Sequence, residues 1–177
     1  MTRSEANEGR VNPGFGRVAG TGANCQSCVV AFEARLRGYD VKAKPNVDPG
    51  SAAGYLADHT NAAWIDPFTG DPPEIRRPDP KTVRTAAQAQ RWLEENVQPG
   101  QRYTLEFDWP HRGGHILCVD RAPDGGIRLY DPQTGGTFSG KGAQRFLRDS
   151  RRDTLGLTRI DDAIINAYFA DEITEKA

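Results

Sequence analysis

Charge of one sign is the first thing this sequence lacks. Its 23 Lys and Arg stand against 24 Asp and Glu, a formal net charge of −1. Nothing therefore favours nucleic acid or an anionic membrane surface as a partner. Long apolar runs are missing too: none approaches the ~18 residues that span a bilayer. The opening stretch MTRSEANEGRVNPGFG has no apolar region of the kind a cleavable secretory leader needs. If the protein leaves its cell, another route or a larger parent chain must carry it. Cysteine is scarce: three in 177 residues cannot all pair and do not make a disulfide framework, so a reducing compartment is the expected place of work. There is no internal repeat and no low-complexity tract. What is present is ordinary for a soluble globular chain, with 37% hydrophobic and 27% charged residues, and the length suits one domain around one core.

Residues 1–20 are polar and contain several glycines, and they read as a flexible N-terminal arm ahead of a single folded domain over 21–177. NCQSCVVAFEARLRG then predicts a helix, with Asn24 at the N-cap and Gly38 just past the end. Cys25, Val29, Phe32 and Leu36 recur at helical spacing and share one face, and Glu33 with Arg37 makes an i,i+4 pair on another. Residues 44–80 are rich in Pro, Gly, Asp and Asn around WIDPFTGDPP, a loop long enough to suggest function. Asp79, with Pro80 at the first position, predicts a second helix over 80–97, its inner stripe being Val83, Ala86, Gln90, Leu93 and Val97. RYTLEFDW (102–109) alternates as a strand. HILCVDR (115–121) and GIRLYDP (126–132) flank APDG as a hairpin. A short helix around 141–149, a strand TLGLTRI and an apolar stretch AIINAYFA complete the chain. Helices first and antiparallel strands later point to the α+β class.

If the hairpin turns about Pro123, His115 falls opposite Asp131, Leu117 opposite Leu129, and Val119 opposite Ile127. Facing residues have Cβ atoms ~4.5–5.5 Å apart, within reach of an imidazole–carboxylate hydrogen bond. The other face carries Ile116, Cys118, Arg128 and Tyr130, and a slip of one residue would invert the sorting. Such a His–Asp pair suits a cysteine nucleophile. A free thiol has a pKa of ~8.5 and is mostly protonated at neutral pH. The N–H groups and dipole at a helix start stabilise its thiolate, a histidine takes its proton, and a third group fixes the imidazole tautomer. Cys25, His115 and Asp131 supply those parts, provided Cys25 and His115 meet across the fold.

Three blocks taken in order, NCQSCVVAFEARLRGYDV, GHILCVDR and IRLYDPQTG, resemble the papain-fold toxin domains of bacterial polymorphic toxins and phage-borne effectors, the protein-glutamine deamidase group. The resemblance covers roughly residues 10–140, including the WIDPFTG loop. It implies a papain-like cysteine-hydrolase fold, with the nucleophile helix packed on an antiparallel sheet and one catalytic domain over 21–177. The matching triad positions are Cys25 in NC, His115 in GH and Asp131 in DPQTG. Asn24 and Gln133 are accessory candidates from the same blocks. Independently of the resemblance, the length of the 44–80 loop makes WIDPFTG, with Trp64 packed and the flanking turns exposed, a candidate for shaping the substrate entrance. The implied activity is deamidation of a target-protein glutamine in the cytoplasm of a competitor or host cell, after delivery from the producing cell. The resemblance implies no metal and no organic cofactor, and it makes a cognate immunity protein a candidate partner. One alternative stays open. Papain-type peptidases carry C-G-[SA]-C-[WY], whose second cysteine is the nucleophile, and by that analogy CQSC would make Cys28 reactive. Cys25 is preferred because it opens the helix on the apolar face, although Cys28 lies only about 300° further round.

Blander readings compete with each residue. Two cysteines on a helix can be small core residues. A Cys-x-x-Cys zinc half-site needs two more ligands, and Cys118, His59 and His111 show no second paired spacing. A thioredoxin-like motif needs a βαβ context that is absent here. His115 can be a satisfied strand-end histidine, and Asp131-Pro132 a strand terminator. Among functions, a peptidase, isopeptidase or transglutaminase uses the same acyl chemistry as a deamidase. An inactive papain-like binding module is the alternative from another class.

Overall fold

The computed structural model describes residues 1–7 and 9–177. In chain order its elements begin with α1 (Arg3–Asn7), α2 (Cys25–Leu36), β1 (Val41–Ala43), α3 (Ala52–Asp58), a 3-10 turn (Thr60–Ala63) and β2 (Trp64–Ile65). They continue with α4 (Ala86–Asn96), β3 (Arg102–Trp109), β4 (Arg112–Arg121), β5 (Ile127–Asp131), β6 (Gly136–Ser139) and α5 (Gly140–Arg148). The last are β7 (Arg151–Arg159), β8 (Ile164–Ile165), α6 (Ala167–Ile173) and β9 (Thr174–Lys176). Helices with antiparallel sheets make this α+β. Two compact units divide the chain: Met1–Pro73 with Asp131–Gly136 and Ala163–Ala177, and Glu74–Tyr130 with Thr137–Asp162. Among the described residues no helix is long and apolar enough to cross a membrane.

The first unit is built around α2. Its residues from Gln26 to Arg35 are all buried, so the helix is enclosed on every side, where the spacing alone predicts one apolar face. Packed around it are α1, β1, α3, α6 and β9, with β1 and β9 paired antiparallel. Its charged residues are answered locally. Arg37 donates to Glu33 at 2.9 Å, and Arg35 donates to the Val41 carbonyl at 3.1 Å. Gly38 ends the helix as expected. At φ +97° it lets its own N–H reach the Arg35 carbonyl at 3.0 Å and the Tyr39 N–H reach that of Ala34 at 3.1 Å, the pairing of a Schellman end.

Two stretches of this unit differ from the sequence expectation. Within 44–80, expected as a loop, Ser51 caps α3 by accepting from the Gly54 N–H at 3.2 Å. Gly54 lowers the helical signal, yet glycine is required there because a Cβ would collide with the Pro49 carbonyl. Within 1–20, expected as a flexible arm, Ala6, Asn7, Val11 and Asn12 are buried, and the Ala43 N–H donates to the Val11 carbonyl at 2.8 Å.

The second unit is organised by a five-stranded sheet in the order β6-β5-β4-β3-β7. β3 has the span its alternation predicts, and Tyr103, Leu105 and Phe107 join Leu117, Val119, Ile127, Leu129, Leu155 and Leu157 in one core. α4 and α5 cover that face with Ala89, Leu93, Ala143 and Leu147. α4 starts at Ala86 rather than near 80, because Thr85 and Gln88 form a capping box. Asp79 closes a separate turn, accepting from the Lys81 N–H at 2.8 Å. Ala89 takes the inward place expected of Gln90.

The β4–β5 hairpin also differs. The Ala122 N–H donates to the Gly126 carbonyl at 2.7 Å, and Gly125 sits at φ +85°. The turn therefore centres on Asp124, not Pro123. Val119 pairs with Leu129 and Cys118 with Tyr130, a shift of two residues from the expected alignment. A shift of two keeps every side chain on its face, so the apolar stripe survives. The expected placement of Asp131 opposite His115 does not follow from this register.

Candidate active site

Cys25 is the first residue of α2 and is partly exposed, whereas Cys28 and Cys118 are buried; all three are thiols. Cys28 is fully buried, and its Sγ donates to Asn24 Oδ1 at 3.4 Å. Accessible sulfur at the helix start therefore belongs to Cys25. The first helical N–H with an acceptor in its own chain turn is that of Cys28, which reaches the Asn24 carbonyl at 3.0 Å. The N–H groups of Cys25, Gln26 and Ser27 have no acceptor within the helix.

Asn24 holds the N-cap position but makes no side-chain cap bond. Its amide is committed elsewhere, donating to Asn12 Oδ1 and to the Lys44 carbonyl, both at 3.1 Å. Gln133 takes over the capping role. With its amide oxygen toward the helix it accepts from the N–H groups of Asn24 at 3.2 Å and Cys25 at 3.1 Å. The opposite amide orientation donates to Asn24 Oδ1 at 3.3 Å but points a donor at two donors. Oxygen and nitrogen are assigned by such bonding, and two satisfied N–H groups outweigh one long bond.

The turn that delivers Gln133 is built by Asp131. Asp131 Oδ1 accepts from the Gln133 N–H at 3.1 Å, Oδ2 accepts from the Thr134 hydroxyl at 2.9 Å, and its carbonyl accepts from the Gly135 N–H at 2.8 Å. This is the short-range bonding for which Asp is favoured in turns. Asp131 is 4% and Gln133 7% exposed. The first unit thus gathers Cys25, Cys28, Asn24 and Gln133 at one helix end, with Asp131 in the turn that holds Gln133.

His115 belongs to the second unit. It lies on β4, paired with Phe107 of β3, and is buried at 9% exposure. Trp109 stacks against its ring at 5.9 Å between centroids, and Phe107 meets it edge-on at 5.8 Å. These aromatic walls limit how the imidazole can turn. Trp64 is fully buried, packed as expected of the start of the WIDPFTG loop, and pairs with Ile165 of β8. Beyond it, Asp66 Oδ1 accepts from the Phe68 N–H at 2.8 Å and the Thr69 N–H at 3.3 Å, and the resulting turn leaves Phe68 93% exposed. Asn12, which no sequence pattern singles out, is buried against Asn24 and the Gln133 carbonyl. Among the described residues, no three His, Cys, Asp or Glu side chains gather as a metal site.

The family described as papain fold toxin 1, glutamine deamidase, matches residues 23–136. The chain belongs to this family. The match opens two residues before Cys25, closes at the end of the Asp131–Gly136 turn, and takes in His115 between them. The papain fold and the assignment as a papain-like cysteine hydrolase, expected from the three sequence blocks, stand with it. Among solved structures, the Pseudomonas avirulence protein AvrPphB is similar at 14% identity, over 74% of this chain and 73% of that one, with a TM-score of 0.38. That likeness is too loose to bear on the site. No curated protein matches the chain.

Proposed function

We propose that the protein is a toxin that deamidates a glutamine side chain of a target protein through Cys25, His115 and Asp131. What carries the reading is the partly exposed Cys25 thiol at the start of α2, inside the span of the deamidase family. The Cys25 thiolate attacks the carboxamide carbon, forming a C–S bond. The C–N bond breaks, and His115 gives the departing nitrogen the proton that makes it ammonia. His115 then takes a proton from water, the hydroxide adds to the thioester, and the C–S bond breaks to leave glutamate and free enzyme. Asp131 accepts from the imidazole and holds its tautomer. The negative oxygen formed at each addition is met by N–H groups of the helix start. Gln133, already on the Cys25 N–H, yields that group to the oxyanion, and a turn of its amide adds a second donor. The same reading carries delivery from the producing cell into the target-cell cytoplasm and a cognate immunity protein as a partner.

The test is the mass of an intact target after treatment. Deamidation changes it by the difference between amide and acid and leaves the chain uncut. Fragments would reassign the protein as a peptidase, and mass added from an amine would make it a transglutaminase. The exposed turn at Phe68 is proposed to help select the target. Phe68→Ser is expected to leave the melting curve within about 0.5 kcal/mol of wild type, as exposed substitutions do. It should lower deamidation of a folded protein target about tenfold, as loss of an aromatic anchor does, with the alkylation rate of Cys25 unchanged. Equal loss on a short glutamine peptide and on the folded target would remove the turn from target selection.

A further inference from the structure

We propose that Asn12 is a positioning residue for the Cys25 centre, locking the start of the nucleophile helix to the turn that carries Asp131 and Gln133. The proposal rests on the assignment of Cys25 and Asp131 made above, and it concerns a residue outside the 23–136 span that matches the family.

Asn12 is 5% exposed, and its one side chain reaches three residues, Thr21 and Asn24 just before α2 and Gln133 in the distant turn. Its Nδ2 donates to the Thr21 carbonyl at 2.9 Å, to the Gln133 carbonyl at 3.0 Å and, more weakly, to Asn24 Oδ1 at 3.3 Å. Its Oδ1 accepts from Asn24 Nδ2 at 3.1 Å. An amide nitrogen has two protons. The two short bonds to backbone carbonyls use them, and the longer contact shares one. Asn24 immediately precedes Cys25, so the reciprocal amide pair fixes the residue from which the nucleophile helix departs. The bond to the Gln133 carbonyl fixes the backbone that carries the Gln133 amide to the Cys25 N–H. One buried amide therefore sets both sides of the contact between the helix start and the Asp131 turn.

The segment is itself anchored. The Val11 carbonyl accepts from the Ala43 N–H at 2.8 Å, and Asn7 Nδ2 donates to the carbonyls of Gly135 and Gly136 at 3.1 and 3.2 Å. The stretch before the family span thus grips the Asp131–Gly136 turn at two places. A satisfied buried network of this kind is rigid, and losing one member leaves its partners unmet in a low-dielectric place. In Asn12→Ala, the Gln133 and Thr21 carbonyls and the Asn24 amide lose their partner together. The helix start and the turn can then drift apart without either unfolding, and small displacements at a nucleophile are expensive in rate.

The experiment compares wild type with Asn12→Ala and Asn12→Ser. Iodoacetamide alkylation is followed across pH with each cysteine located by mass, alongside turnover on the deamidation target. Cys28 and Cys118 are buried, so their labelling reports the unfolded fraction, and every rate is expressed per folded molecule. Asn12→Ala is expected to slow Cys25 alkylation by about threefold or more, because a helix start held less firmly presents the sulfur less well. The kcat is expected to fall about tenfold or more with KM changed by less than about threefold. Asn12→Ser, which keeps one short donor, should fall between. A merely structural role lowers the folded fraction and moves neither quantity per folded molecule, and that result overturns the proposal. So does failure of both variants to fold, which would make Asn12 a residue of the fold at large. A wild-type protein whose fast thiol is not Cys25 overturns the parent assignment, and the proposal falls with it.

Discussion

Cys25→Ala is expected to abolish deamidation while the protein melts as wild type does, and Cys28→Ala to do the reverse. The two cysteines are three residues apart on one helix, but their surroundings differ. Cys25 is partly exposed. Its loss should cost stability no more than an ordinary surface change, within about 0.5 kcal/mol. The same loss removes the atom proposed to form the acyl bond, and turnover should fall on the order of 10⁴-fold or more. Cys28 is fully enclosed and gives its S–H to Asn24 Oδ1. Removing its sulfur leaves a small void and an amide oxygen short of a donor, a cost of about 1–2 kcal/mol, while turnover per folded molecule stays near wild type. Melting and turnover measured on both variants separate the alternatives. If Cys25→Ala stays active and Cys28→Ala is dead though folded, the nucleophile is Cys28 and the peptidase-like alignment of CQSC is the right one.

Where elements could be read from the sequence, the signal was local. β3 alternates along its whole length, so its bounds needed nothing but the pattern. The end of α2 is dictated by Gly38, whose positive φ no other residue adopts as cheaply. Misreadings arose where two local signals competed. Asp79-Pro80 and Thr85 with Gln88 can each open a helix. The capping box satisfies two N–H groups and takes the helix, while Asp79 closes a turn before it. In RAPDGGI, proline drew the expected turn to itself, but Gly125 supplies the positive φ that the turn requires, and the register moved by two. That shift was invisible to the apolar pattern because it preserves every face.

The candidate site divides in the same way. The helix start at Cys25 and the turn at Asp131 could be read from local signals, but the alignment of Asp131 with His115 was expected from a hairpin register that moved by two. The capping of α2 by Gln133 and the clamp by Asn12 join residues more than a hundred positions apart. No periodicity encodes such contacts. Asn24 even sends the wrong local message. It is a good N-cap residue in the right place, yet its amide is committed to Asn12 and Lys44, and the cap comes from another part of the chain. Local propensity was overridden here by a buried polar network around Cys25, the proposed nucleophile, and functional sites are where a fold departs from local rules.

Asp131→Asn should keep the fold and lose most of the turnover, because the two roles of Asp131 make different demands. In the turn, its oxygens accept from the Gln133 N–H and the Thr134 hydroxyl. An asparagine can reproduce both. Its carbonyl oxygen accepts from Gln133, and its amide nitrogen donates to the Thr134 hydroxyl, which turns from donor to acceptor. The melting point should therefore move little. In the proposed mechanism the same carboxylate accepts from His115 and stabilises the imidazolium formed when the thiol or water gives up its proton. An amide carries no charge to do this, and its nitrogen can force the wrong tautomer on the ring. The comparable change in a serine-protease triad costs about 10⁴-fold, and a loss of roughly 10²–10⁴-fold is expected here. Fast alkylation of Cys25 should fall with it, since an imidazole in the wrong tautomer cannot take up the thiol proton. Near-normal turnover in a folded Asp131→Asn would leave the residue as a turn former and take it out of the triad. A variant that unfolds would show that the turn depends on the carboxylate itself, and Thr134→Val, which deletes only the hydroxyl partner, would then reveal whether the demand comes from that bond.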